Sequence, residues 1–277
     1  MKILITGSDG MLAFALKKTL KTNNKLILTD IGNMDITSAK KVALFFNKTK
    51  PEIIIHTAAC TDVDAAEKNK GLALKINRDG TKNVASAAKD LDIPIVYIST
   101  DYIFGGGKKK PYTENERPNP LSVYGFSKYA GEKEIRKITK KYFIIRSAWL
   151  YGPGGKNFVT TILRLTKELD ELKIVNDQRG CPTYTFDLAN VISKLIKTQK
   201  YGIYHAVNSG SCTWYQFAKE IIKINKLKNK IKAINSKELG RPAKRPNYSV
   251  LSNNKLRAEG IKLREWQKAL RVFLNQM

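Results

Sequence analysis

Cysteine is scarce: Cys60, Cys181 and Cys212 are the only three in 277 residues, far apart and without a CxxC pair. That argues against a disulfide framework and against a thiolate zinc site. Histidine is scarcer, with His56 and His205 each inside an apolar run; both read as structural, and no metal-ligand set emerges. No stretch reaches the roughly 20 apolar residues that span a bilayer. The opening MKILITGSDG breaks its apolar run with glycine too early for a signal peptide, so the chain is expected in the cytoplasm, away from membranes. Acidic residues are few, 24 against 50 Lys and Arg, for a formal charge of +26. Such an excess invites a nucleic-acid partner. Yet residues 201–277 carry 16 Lys and Arg against 4 Glu and no Asp, so the excess runs through the chain rather than sitting in a tail. No nucleic-acid-binding motif accompanies it, and it reads as a lysine-biased, solvated surface.

What the sequence does have is alternation. KILIT, a helical pattern over 11–22, KLILTD, a helix near 38–49, EIIIHTA, a helix near 71–90, IPIVYIS, a helix from about 121 and YFIIRSAWL follow one another. Near-continuous apolar strands separated by helices predict a doubly wound, parallel α/β sheet of the Rossmann-like kind. Residues 1–150 form the expected nucleotide-binding domain. Beyond Tyr151 the pattern is irregular, with a return to the main sheet expected near 184–207, and 151–277 are expected mainly to build a small C-terminal substrate-binding lobe. Lys223, Lys226, Lys228 and Lys230 read as solvent-facing.

The first strand runs into GSDGMLA. Gly7 suits a tight turn, Gly10 lets backbone approach a pyrophosphate, Ala13 permits close helix packing, and the helix N-terminus favours negative charge. Met11 and Leu12 open that helix. About 20 residues on, Asp30 closes the second strand, where a carboxylate can accept from an adenosine ribose and so favour NADH; Lys17 and Lys18 keep NADPH open. Asp35 and Ile36 can flank the adenine, and Ala58, Ala59, Cys60 and Thr61 are small enough to line the middle of such a cofactor.

Tyr124 and Lys128, in VYGFSK, are spaced i and i+4 and share one helix face. A neighbouring ammonium stabilises a phenolate, so Lys128 is expected to bring the Tyr124 pKa down toward working pH and to reach the nicotinamide ribose. Ser99 and Thr100, in YISTDYIF, end the fourth strand, where a hydroxyl can position a carbonyl. These features together predict hydride transfer to a carbonyl, with Tyr124 as proton donor.

With GSDGMLA, NMDIT, TAACTDVDAAE, STDYIF, VYGFSKYAGE, RSAWLYG, NFVTTIL, NDQRGCPT and RPAKRPNYSVL in place, the chain resembles the extended short-chain dehydrogenases almost end to end. Within them it is similar to the dTDP-4-dehydrorhamnose reductase family. The resemblance implies Thr100, Tyr124 and Lys128 as the catalytic trio. It implies Asp101, Trp149, Asn157 and Arg245 as substrate contacts, and NADPH- or NADH-dependent reduction of the C4 keto group of dTDP-4-dehydro-L-rhamnose. The partner is a nucleotide-sugar substrate, with a homodimer possible. Trp149 read from its position alone is equally a core or interface tryptophan. Arg241 and Arg245 can clamp a diphosphate or simply form a basic loop. Tyr102 stands where related dehydratases carry the second acid of an eliminating pair, which argues against dehydration. Turnover of a UDP-linked sugar and a non-catalytic, NADP-binding regulatory subunit are the competing readings.

Overall fold

The computed structural model describes residues 1–277. The first half contains β1 (Lys2–Thr6), α1 (Met11–Leu20), β2 (Lys25–Thr29), α2 (Ala39–Thr49), β3 (Ile53–His56), α3 (Val63–Lys68) and α4 (Lys70–Leu74). A π-helical turn (Lys75–Gly80), α5 (Thr81–Asp90), β4 (Ile95–Thr100), α6 (Val123–Ile138) and β5 (Tyr142–Ser147) complete it. The second half runs through β6 (Leu150–Tyr151), α7 (Phe158–Glu168), β7 (Glu171–Val175), β8 (Arg179–Gly180), β9 (Thr183–Tyr184), α8 (Thr185–Leu195) and β10 (Gly202–His205). It ends with β11 (Cys212–Thr213), α9 (Trp214–Ile224), β12 (Lys230–Ile234), α10 (Ser236–Leu239), α11 (Asn254–Ala258) and α12 (Trp266–Leu274).

Six parallel strands form the central sheet in the order β10-β5-β4-β3-β1-β2. Alternate residues face opposite sides of each strand. Ile3 and Ile5 pack with α1 and α8 on one face, whereas Leu4, Ile54 and Tyr97 pack with α2, α5 and α6 on the other. Two buried faces explain the unbroken runs of Ile, Leu and Val. The strand order reverses direction between β1 and β3, the place where such sheets bind ligands at their carboxyl ends.

A third core lies outside the sheet, where α7, α9 and α12 close over the parallel β7–β12 pair around Phe217, Ile221, Leu270 and Phe273. No helix is long and apolar enough to cross a membrane. Two local expectations are corrected. The strand YFIIRSAWL stops at Ser147, because Trp149 takes a φ of 48°, a left-handed conformation that cannot continue a strand. The helix near 71–90 is two α-helical segments, α4 and α5, joined by the π turn. Lys223, Lys226, Lys228 and Lys230 are all exposed, as expected, although Lys230 opens β12, a strand the sequence pattern did not reveal.

Candidate active site

A cleft of about 760 Å³ opens over the carboxyl ends of β1, β3 and β4. It lies within the usual range for small-molecule sites. One end is built by the glycine turn. Gly7 has a φ of +65°, and a Cβ there would lie 2.7 Å from the Ala58 Cα, so only glycine lets the β1 and β3 loops meet this closely. Gly10 caps α1 without any side-chain hydrogen bond, which leaves first-turn N–H groups available to an anion. Met11, Leu12, Asp30, Asp35, Ile36, Ala58, Ala59 and Thr61 line the same cleft.

Asp30 falls one residue beyond β2, and its Oδ1 accepts from the Gly32 and Asn33 amides at 2.8 and 3.3 Å. Asp35 accepts from the Thr37 amide and hydroxyl, which hold its carboxyl below the usual range. The Ser99 hydroxyl, on the cleft wall, is buried without a hydrogen-bond partner. A glycine cradle, an open helix N-terminus, a carboxylate after β2 and an orphaned hydroxyl together fit a dinucleotide.

The other end carries the reacting groups. Ser122 caps α6 by accepting from the Gly125 amide at 3.2 Å, which starts the helix just before Tyr124. A Cβ on Gly125 would lie 2.2 Å from the Tyr102 carbonyl oxygen. That glycine seats the helix directly on the turn after β4, and Tyr124 thereby faces Thr100. Thr100 is buried; its Oγ1 accepts from the Tyr102 amide at 3.2 Å and donates to Asp101 Oδ1 at 3.1 Å. The Thr100 hydroxyl also reaches Tyr124 and counters in part the effect of burial, which pushes the phenol up to about 12.

Lys128 shares the helix face with Tyr124 but does not tune it as expected. Its Nζ rests 4.1 Å from the centroid of the Tyr97 ring, and burial brings its pKa down to about 7. Desolvation raises the phenol and lowers the amine, the opposite of what a fully charged neighbour would do, so the phenol keeps its proton and the amine is partly neutral near pH 7.

Asp101 and Trp149 line the cleft. One Trp149 face is already covered by Trp214, with ring centroids 3.4 Å apart and 7° between planes. Three predicted residues are not brought to the cleft. The Cys60 backbone is pinned by Asn77 through bonds of 2.8 and 3.0 Å. Asn157 is the N-cap of α7: its Oδ1 accepts from the Thr160 amide, while its Nδ2 donates to the Gly152 and Gly155 carbonyls. Its amide holds the loop after β6 and the start of α7 together. Arg245 is tied to Asp64 at 2.9 Å, and the largely exposed Arg241 reaches the same carboxylate at 3.2 Å, so both guanidinium groups are anchored on Asp64 rather than on the cleft.

The sequence reading missed Asn77, Trp214 and Ser249. Asn77 also donates to Ser127 at 2.9 Å, bridging the loop after β3 to α6. Its position in a π-helical turn has no periodicity signature, although such turns gather at functional sites.

Against known proteins, the family described as RmlD substrate binding domain matches residues 1–277. The chain is 40% identical over 276 residues to the spore coat polysaccharide biosynthesis protein SpsK of Bacillus subtilis, covering 99% of this chain and 97% of that one. It is 36% identical to a dTDP-4-dehydrorhamnose reductase of Sinorhizobium fredii, over 98% of this chain and 96% of the relative. A dTDP-4-dehydrorhamnose reductase crystal structure from Clostridium acetobutylicum matches with a TM-score of 0.98 at 46% identity, over 100% of both chains. The Bacillus anthracis enzyme of that name, solved with NADP, matches with a TM-score of 0.98 at 42% identity, over 100% of this chain and 99% of that one. A full-length family match and an end-to-end structural match agree: the chain belongs to the RmlD substrate binding domain family, the dTDP-4-dehydrorhamnose reductases among the extended short-chain dehydrogenases.

Proposed function

We propose that this chain reduces the C4 keto group of dTDP-4-dehydro-L-rhamnose to give dTDP-L-rhamnose, with NADPH or NADH as reductant. The observation that carries the reading is the meeting, in one cleft, of the glycine cradle with Thr100, Tyr124 and Lys128. The reduced nicotinamide, when bound, supplies the hydride.

The chain's residues then have defined tasks. Gly7, Gly10 and the α1 N-terminus receive the pyrophosphate, and Asp30 meets the adenosine ribose. Thr100 orients the keto oxygen. Tyr124, a full phenol at neutral pH as any tyrosine is and held more firmly in that form by burial, transfers that proton to the more basic oxyanion that develops at C4. Lys128 anchors the nicotinamide ribose beneath. Asp101 and the Trp149–Trp214 pair line the remaining wall, where the sugar is held. The lobe around α7, α9 and α12 supplies the substrate side, which corresponds to 151–277 apart from the segment that rejoins the sheet. Arg245 takes part only if substrate draws it from Asp64.

Tyr124→Phe tests the reading. Its dissociation constant for NADPH should stay within about twofold of the parent value, while turnover falls by roughly 10²–10⁴-fold, the usual worth of a positioned proton donor. Unchanged turnover would remove Tyr124 from the chemistry.

A further inference from the structure

Asp101 is buried, and two hydroxyls converge on it: Thr100 at its Oδ1, 3.1 Å away, and Ser249 at its Oδ2, 2.5 Å away. Ser249 comes from a distant strap whose backbone is fixed, its amide donating to the Arg179 carbonyl at 2.9 Å. Thr100 Oγ1 has one proton and two lone pairs, and one lone pair is already taken by the Tyr102 amide. The state of Asp101 therefore decides what Thr100 shows the cleft. Beside a carboxylate, the Thr100 proton points at Asp101 and a lone pair faces Tyr124. Beside a neutral carboxyl, Asp101 donates to the second lone pair and the Thr100 proton turns toward the cleft.

We propose that Asp101, steadied by Ser249, is a positioning residue that sets the polarity of the Thr100 hydroxyl, its neutral form making Thr100 a second hydrogen-bond donor to the keto oxygen. This rests on the reading above, in which that oxygen sits between Thr100 and Tyr124. Burial raises the Asp101 carboxyl to about 7, with the Ser249 and Thr100 hydrogen bonds opposing the rise. The titratable groups facing it are Tyr102, Tyr124 and Cys181, all pushed up by burial and neutral in this range. Arg245 addresses Tyr102, and Lys128 is turned onto Tyr97. Turnover should then fall as pH rises through the Asp101 transition.

The test combines infrared titration with pH profiles. The protonated-carboxyl stretch of the parent should titrate near neutrality, and Asp101→Asn should lack that band. In Ser249→Ala, loss of a hydrogen bond to the charged form should move the band's midpoint up by about one pH unit. The alkaline fall in kcat should move with it, Ser249→Thr should restore both, and Asp101→Asn should lose one titrating group from the profile. A midpoint and profile unmoved in Ser249→Ala, or a profile unaltered in Asp101→Asn, overturns the proposal and assigns the fall to Lys128. If Tyr124→Phe is inactive while these profiles stay fixed, only this inference fails; if Tyr124→Phe is fully active, the underlying reading fails first.

Discussion

At the scale of single residues, burial decides chemistry more than spacing does. The i, i+4 pair of Tyr124 and Lys128 was legible in the sequence, but their ionisation was not, because it depends on how much water each loses. The folded Lys128 titrates near 7, below its ordinary 10.5. A depressed lysine penalises the folded state wherever the amine would be charged, so the stability it withholds at low pH returns as pH rises from about 7 past 10.5. Lys128→Met should therefore gain about 1–3 kcal/mol of folding stability at pH 6 while losing turnover. Urea denaturation at pH 6 and pH 9 should show the gain narrowing at the higher pH. A Met variant less stable than its parent at pH 6 would contradict the assignment.

At the scale of elements, the catalytic geometry depends on how α6 is held. Glu132 and Arg146 form a fully buried pair at 2.8 Å that ties α6 to β5, and Arg146 also donates to the Glu114 carbonyl at 3.2 Å. Removing one partner of such a pair strands the other charge, so Glu132→Gln should cost about 3 kcal/mol in chemical denaturation. Turnover should fall with it, because Tyr124 and Lys128 ride on the same helix. A loss under about 1 kcal/mol would show that α6 is held by its packing alone. The parallel strands were readable because a strand buried on both faces must be a continuous apolar run. The π turn, β12 and the Asp64 clamp were not: the first has no sequence period, the second is lysine-rich, and the third joins residues far apart in the chain.

At the scale of the whole molecule, the first four strands of the sheet and the glycine turn were legible from the first hundred residues, whereas the roles of Asn157 and Arg245 were not. Side chains that suit a ligand equally suit a cap or an ion pair, and only the folded geometry chooses. The charge of +26 is spread along the chain, so any association with random duplex DNA at 50 mM salt should be lost by about 200 mM, as counterion release dictates. Binding that persists there would mark a dedicated site. The central claim, C4 reduction of a dTDP-linked keto sugar, is tested most directly by following NADPH and NADH oxidation with dTDP-4-dehydrorhamnose beside its UDP-linked counterpart, with products identified by mass. The account predicts one cofactor oxidised per dTDP-sugar that gains two hydrogens, and preference for the dTDP carrier. Cofactor binding without oxidation, or turnover confined to the UDP-linked sugar, would contradict it.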